Sequence, residues 1–238
     1  MRSGLPDYPD KALEFYTVHH PNGDIDPYQM IKTVRGRGLL FPPDQGGAYS
    51  SVGYELLGLV LAQHANPDQP SWLSYDQSSV LPLSLRTKST ALFPLRGPCS
   101  KYADKGMVHQ YAPKIEKGWF QSYAVTGFRD FFSDSCLNGW TCGNIAARPL
   151  DIASFFFHLL HKGPENTAPI VSKESLAAML DFKPFTGEFA KGLEYGSGAE
   201  TIPTQGSRAL LFFCQIGTHI FSCFDSFEVF SVEFRKVY

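Results

Sequence analysis

Apolar residues recur at helical spacing between positions 49 and 64, a stretch that reads YSSVGYELLGLVLAQH. This spacing predicts a buried helix. Glu55 falls in its first turn, where the positive end of the helix dipole favours an acidic side chain. The apolar positions that we expect to lie in a packed core are Val52, Leu56, Leu57, Val60 and Leu61.

Two further helices are marked by the residues at their ends. Pro149 suits the first position of a helix and Gly163 suits the position just after one, so the sequence between them predicts a helix over 149–162. Ser172 is the expected N-cap of the next helix, which begins KESLAAMLDF. That helix must end before Pro184, because proline cannot continue a helix.

The rest of the chain contains either many turn-forming residues or very few. Residues 1–43 are polar and turn-rich, so we expect mostly loop with short helical pieces there. Residues 66–118 are rich in Pro, Ser and Gly, so we expect an irregular stretch with short strands or turns. The last thirty residues contain seven Phe and few turn residues. For this aromatic tail, core strand, exposed aggregation-prone sequence and gene-model artefact all remain open.

Composition indicates a globular protein and excludes several classes. The chain has 238 residues, 43% hydrophobic and 18% charged, with a formal net charge of −2. No basic run is present, which argues against a nucleic-acid partner or an anionic membrane surface. No stretch reaches the length of a membrane helix, and the first ten residues lack the features of a signal peptide, so the cellular location stays open.

The five cysteines fit neither a disulfide scaffold nor a metal site, because no C-x-x-C or H-x-x-x-H spacing occurs. Buried thiols are the simpler interpretation, with a Cys136–Cys142 or Cys99–Cys136 disulfide as the alternative in an oxidising compartment. His158 and His161 lie three residues apart on one predicted helix face. We interpret both as ordinary helix-end residues and expect no metal.

Three segments carry a more specific pattern: RSGLPDY at 2–8, GAYSSVGYELLG at 47–58 and GNIAARPLDIASF at 143–155. In this order they resemble the S-G-L-P-D-Y segment, the Y-S-N-x-G-Y-x-L-L-G signature and the D-(L/I)-A-x-F helix of the penicillin-recognising serine hydrolases. That family comprises class C β-lactamases, D-alanyl-D-alanine peptidases and related esterases.

The resemblance implies the α/β (α+β) architecture of the β-lactamase/transpeptidase-like fold, a helical region plus an antiparallel sheet flanked by helices. It covers residues 1–200, which we assign to one partial domain, and leaves 201–238 as a separate aromatic tail. The family's S-x-x-K motif lies upstream of its S-G-L-P segment. We therefore expect this chain to be incomplete at its N-terminus.

The same resemblance implies the chemistry and the candidate site. In the family an acyl-enzyme forms on the Ser of S-x-x-K, and the Tyr of a Y-x-N motif moves the proton. Tyr49 matches that Tyr and is the candidate catalytic residue. Ser51 stands in the place of the Asn and is the candidate substrate-binding residue, although a hydroxyl lacks the separate carbonyl and NH₂ groups of an amide. The implied partner is a small amide, ester or peptide substrate, and no cofactor is implied.

Two of the family's motifs are missing from the sequence. None of the twelve lysines has a Ser three residues before it, and no H-x-G or K-T-G follows residue 163; the nearest string is FTG at 185–187. Without a lysine beside it, Tyr49 should remain a neutral phenol. Ser50 and Ser51 are better explained as helix N-caps than as nucleophiles, because a G-x-S-x-G elbow is absent.

Two functions therefore stay open. The first is a β-lactamase-related serine hydrolase of which this chain, without the nucleophile, is an inactive part. The second is a non-catalytic binding or scaffold protein derived from the same fold. An upstream in-frame exon encoding S-x-x-K would favour the first.

Overall fold

A computed structural model describes residues 1–9, 12, 15–16, 19–20, 22–68, 71–92, 96–109, 111–115, 125–130, 132–136, 140–143, 145–160, 169–184, 194–204 and 207–211. Its α-helices are α1 (Pro27–Val34), α2 (Ser51–Ala65), α3 (Leu83–Arg86), α4 (Trp140–Gly143), α5 (Pro149–Leu160) and α6 (Lys173–Met179). Short 3₁₀-helices span Trp72–Ser74, Gln77–Val80 and Cys99–Lys105. The described residues between 66 and 118 are irregular, as their composition predicts, but they also contain short helices where short strands or turns were expected.

The described strands form two antiparallel sheets. β1 (Tyr111–Ile115) pairs with β2 (Val125–Asp130). The larger sheet has the order β3–β4–β5–β6, built from Lys183–Pro184, Glu194–Tyr195, Glu200–Thr204 and Ser207–Leu211. The last two strands lie in the part of the chain assigned to the aromatic tail, whose remaining residues, 212–238, lie outside the described residues.

Helix starts follow the local capping chemistry. The Ser50 hydroxyl accepts a hydrogen bond from the Gly53 N–H at 3.3 Å, and the Ser172 hydroxyl accepts one from the Ser175 N–H at 3.1 Å. Ser50 and Ser172 are therefore confirmed as N-caps, as is Pro149 at the first position of α5, whereas Ser51 is the first residue of α2 and not an N-cap. α5 is described as far as Leu160, and the predicted end at 162 and Gly163 lie outside the described residues.

The buried face of α2 is not the one that its leucines predict. Leu57 and Val60 are 58% and 53% exposed, so the prediction that they lie in a packed core is wrong. The buried positions are instead small or polar, apart from a valine: Ser51, Val52, Glu55, Gly58 and Ala62. The helix carries apolar side chains on every face, so the spacing of these residues does not show which face packs against the neighbouring elements.

Gly58 explains how close one of those neighbours lies. A Cβ at this position would collide with the side chain of Thr141 on α4, and the Thr141 hydroxyl donates to the Tyr54 carbonyl of α2 at 2.8 Å. Gly58 thus permits the close approach of α4 to α2. Gly53 is not needed in this way, because a Cβ there would meet the Ser3 hydroxyl at an ordinary 3.8 Å and the Ser50 hydroxyl at 4.0 Å.

Two small apolar clusters lie on either side of α2. The first joins the N-terminal loop to α1 and α2, and the second joins α2 to α4 and the residues around the first 3₁₀-helix. Their buried members are Tyr8, Met30, Val34 and Val52 in the first cluster, and Ala62, Tyr75 and Trp140 in the second.

Cys99 and Cys136 form a disulfide, which corrects the preferred interpretation of these residues as buried thiols. Their segments are already paired, since the Cys136 N–H donates to the Gly97 carbonyl at 2.8 Å and the Cys99 N–H to the Asp134 carbonyl at 3.0 Å. This pairing brings two sulfurs together that are 37 residues apart. Within the described residues, no helix is long and apolar enough to cross a membrane.

Candidate active site

The N-terminal loop lies along the segment that precedes α2. The Leu40 N–H donates to the Gly4 carbonyl at 2.8 Å, and the Asp44 N–H donates to the Arg2 carbonyl at 2.9 Å. Gly4 has φ of +74° and sits directly against the Phe41 carbonyl, where a side chain has no room. These contacts bring the first two sequence segments of the family pattern together at the start of α2.

Asp7 ties the loop to the first turn of α2. One of its carboxylate oxygens, Oδ1, accepts hydrogen bonds from the Ser51 N–H at 3.0 Å and from the Tyr8 N–H at 2.9 Å. The neighbouring Ser50 hydroxyl lies 3.4 Å from the Pro6 carbonyl, to which it donates. A carboxylate at this end of a helix is also favoured by the helix dipole.

The structure brings the two predicted site residues into direct contact. The Ser51 hydroxyl donates to Tyr49 Oη at 3.0 Å. Ser51 is only 2% exposed, and Tyr49 is partly buried. Burial raises the pKa of Tyr49, and the charges of Cys142, Asp7 and Tyr54 raise it further, while the bond from Ser51 acts in the opposite direction. Tyr49 is therefore a phenol at neutral pH, as the missing lysine predicts.

Two buried groups that the sequence analysis did not assign to the site lie beside Ser51. Glu55 is one helical turn after Ser51, is 3% exposed, and its Oε2 has no hydrogen-bond partner among the described residues. Burial, with the charges of Asp7 and Asp26, raises the pKa of Glu55 to about 8. Glu55 thus carries a proton at neutral pH, and it does not act as the charged dipole partner expected from its place in the first turn.

Cys142 of α4 is the second such group. Its thiol is free, and burial raises its pKa, with the charges of Glu55 and Asp7 adding to the effect. A thiol in this environment is not an activated nucleophile. Glu55 could have been found from the sequence, because it is an acidic residue one turn after Ser51 in an otherwise apolar helix. No neighbouring residue in the sequence marks Cys142 as part of the site.

The sheet reaches the same region through Tyr195 of β4, whose hydroxyl is hydrogen-bonded to the hydroxyl of Tyr54 of α2. On β3, Lys183 Nζ lies 2.7 Å from Asp44 Oδ2, and Arg2 pairs with the other oxygen of the same carboxylate. The edge of the larger sheet is thereby fixed next to the start of α2.

The remaining sequence candidates do not form a site in the described part of the chain. His158 has a buried Nδ1 with no hydrogen-bond partner there, while His161 and the FTG string at 185–187 lie outside the described residues. Among the described side chains, no group of three His, Cys, Asp or Glu residues could hold a metal ion.

A helical region around α2, followed by an antiparallel sheet at its edge, is the arrangement of the β-lactamase/transpeptidase-like fold, and solved structures share it. This chain has that fold, as the sequence resemblance implies. One similar structure is a D-stereospecific amidohydrolase from Streptomyces sp. (TM-score 0.64, 15% identity, covering 88% of this chain and 57% of that one).

Two other solved structures support the same assignment. One is the D-amino acid amidase of Ochrobactrum anthropi SV3 in complex with L-phenylalanine amide (TM-score 0.59, 20% identity, 90% of this chain and 55% of that one). The other is a penicillin-binding protein from Bacillus halodurans (TM-score 0.53, 15% identity, 87% and 57%). The chain thus spans a little over half the length of the structures it matches. No protein-family model and no curated protein matches it.

Proposed function

We propose that this chain is part of a serine hydrolase of the β-lactamase/transpeptidase type, which cleaves small amides, esters or peptides through an acyl-serine intermediate. The observation that carries the proposal is the contact between Tyr49 and Ser51 at the start of α2, in a chain with this fold. The amidohydrolase and amidases among the similar structures support an amide as the bond that is cleaved.

Tyr49 is proposed as the proton-transfer residue. When a serine oxygen attacks an amide carbonyl, the amine can leave only if its nitrogen receives a proton. A neutral phenol is a competent donor for this step, and it regains its proton from the water that later attacks the acyl-serine. The proton that the serine hydroxyl loses on attack goes to the base paired with that serine and returns to the serine oxygen when the acyl group leaves. Partial burial and the acidic neighbours of Tyr49 keep the phenol protonated until such a step.

We propose that Ser51 belongs to the same site, where the sequence pattern predicts that it binds substrate. Its hydroxyl is buried and directed at Tyr49, which supports a role in holding the phenol. A direct contact with substrate stays a prediction. The change Ser51→Asn, which introduces the residue of the family motif, tests whether an amide binds substrate better there.

We assign no nucleophile among these 238 residues, because they contain no S-x-x-K motif. Removing the nucleophile of a serine hydrolase costs about a million-fold in rate. We therefore expect no turnover from this chain alone. The missing motif also favours the second candidate function, a non-catalytic binding protein that keeps the residues around Tyr49.

Labelling with a fluorescent penicillin and a fluorophosphonate probe separates the two functions. We expect no labelling of the 238-residue chain, and stoichiometric labelling mapped to one of its serines would overturn that expectation. Sequencing the messenger upstream shows whether S-x-x-K is encoded. If it is, the longer product should be labelled at that Ser and should hydrolyse D- or L-phenylalanine amide.

Two tyrosine variants of the longer product then test the assigned role. Tyr49→Phe should slow acylation strongly, whereas Tyr111→Phe, an exposed position on β1, should not. Equal rates in both variants would refute the role of Tyr49. An unlabelled longer product would instead favour the binding protein.

A further inference from the structure

Asp7 caps α2 and also contacts the side chain of Ser51. Its Oδ1 is fixed by two backbone N–H groups, those of Tyr8 at 2.9 Å and Ser51 at 3.0 Å. Its Oδ2 then lies 3.5 Å from the Ser51 hydroxyl. Because Asp7 and Ser51 are 44 residues apart in the sequence, the carboxylate sets the position of Ser51 relative to the N-terminal loop.

Ser51 in turn contacts Tyr49 and so links the position of Tyr49 to that of Asp7. A serine hydroxyl carries one hydrogen, and the contact of Ser51 with Tyr49 Oη, at 3.0 Å, is shorter than its contact with Asp7 Oδ2 at 3.5 Å. When the hydrogen is donated there, Asp7 Oδ2 is a charged neighbour of Ser51 rather than its acceptor. The fully buried serine thus joins a carboxylate to the phenol of the candidate site.

We propose that Asp7 is a positioning residue for Tyr49, because it holds Ser51, whose hydroxyl in turn holds the phenol ring. The inference rests on the proposed function for the step in which Tyr49 takes part. It concerns a contact made inside the chain, so it is testable without any turnover.

The charges around Tyr49 support this assignment. Asp7 comes from the loop, Tyr54 from α2 and Cys142 from α4, and each disfavours a phenolate. Glu55, also on α2, does not compete with Asp7 for the negative charge, because burial and the charge of Asp7 keep Glu55 protonated.

A mutant cycle on the 238-residue chain tests the connection. Urea unfolding is measured for the wild type, Asp7→Asn, Tyr49→Phe and the double variant, and then for the same four proteins carrying Ser51→Ala. Asn keeps a carbonyl acceptor for the Ser51 N–H, so helix capping is largely retained. We expect a non-additivity of about tenfold in the unfolding constant with Ser51 present, and additivity within about twofold without it. Additivity in both backgrounds would show that Asp7 only caps α2 and would overturn the proposal.

A second measurement covers the case in which Asp7→Asn does not fold. The ¹³Cζ resonance of Tyr49 is followed with pH in the wild-type chain and compared with the same chain unfolded in urea, where tyrosines ionise near pH ~10. We expect Tyr49 of the folded chain to keep its phenol shift at pH 10.5. Burial is the largest cause of this shift, so ionisation together with the unfolded reference would show that Tyr49 does not occupy the buried position beside Ser51, and it would overturn the proposal. Neither measurement uses acylation, so a failure of the proposed function is seen separately, in the probe experiment.

Discussion

Replacing Glu55 with Gln should change how the stability of the protein depends on pH. The carboxyl is buried, and its pKa rises from the 4.5 of an exposed glutamate to about 8 on folding. The folded state therefore holds the proton more tightly than the unfolded state does. For such an acid, the free energy of unfolding is highest below the unfolded pKa, falls between about pH 4.5 and 8, and is constant above that range.

The magnitude follows from the two pKa values. Each pH unit between them costs about 1.4 kcal/mol of stability, so the full range corresponds to about 5 kcal/mol as an upper value. Glu55→Gln has the same shape but cannot ionise, so this contribution disappears. An unpaired buried amide costs about 1–3 kcal/mol, but that cost does not depend on pH. The variant should thus gain stability relative to wild type as the pH rises from 5 to 8.

Urea denaturation followed by circular dichroism at several values between pH 4.5 and 8.5 measures this difference. Glu174→Gln is the matched control, because Glu174 is exposed and its pKa is lowered, by hydrogen bonds to its own backbone N–H and to Ser172. The control should follow the wild-type profile closely. Parallel profiles for wild type and Glu55→Gln would refute the reasoning, since they would mean that Glu55 is ionised in the folded protein.

Three other expectations concern the packing around α2 and the disulfide. Val52→Ala, at a position with no exposure, should lose about 2 kcal/mol, while the exposed Leu57→Ala should lose less than about 0.5 kcal/mol; equal losses by urea denaturation would contradict the burial of this helix. Gly58→Ala should cost about 1–3 kcal/mol, because the new methyl group meets the threonine of α4, and an unchanged melting temperature would contradict that close contact. Reducing the Cys99–Cys136 disulfide, which closes a loop of 37 residues, should lower the free energy of unfolding by about 3–4 kcal/mol. Urea denaturation with and without dithiothreitol measures this loss, and an unfolding midpoint that the reductant does not change would argue against the bond.

Short-range features were readable from the sequence because their causes lie within a few residues. Ser50, Pro149 and Ser172 mark helix starts through bonds and dihedral limits that involve only their immediate neighbours. The fold was readable for a different reason, since three short segments match a known pattern. The same pattern singled out Tyr49 and Ser51, which lie in one turn and meet in the structure.

Long-range contacts decided the rest. An apolar helix such as α2 has several faces that its own residues make equally suitable for burial, and the packing of α1 and α4 selected the one that contains Glu55 and leaves Leu57 exposed. The partner of Cys99 was likewise chosen by backbone pairing between segments 37 residues apart. Asp7 approaches Ser51 across 44 residues, and Glu55 holds a proton because a folded interior excludes water from its carboxyl group. Burial and charge are set by everything that surrounds a residue in space, and these surroundings exist only once the chain has folded.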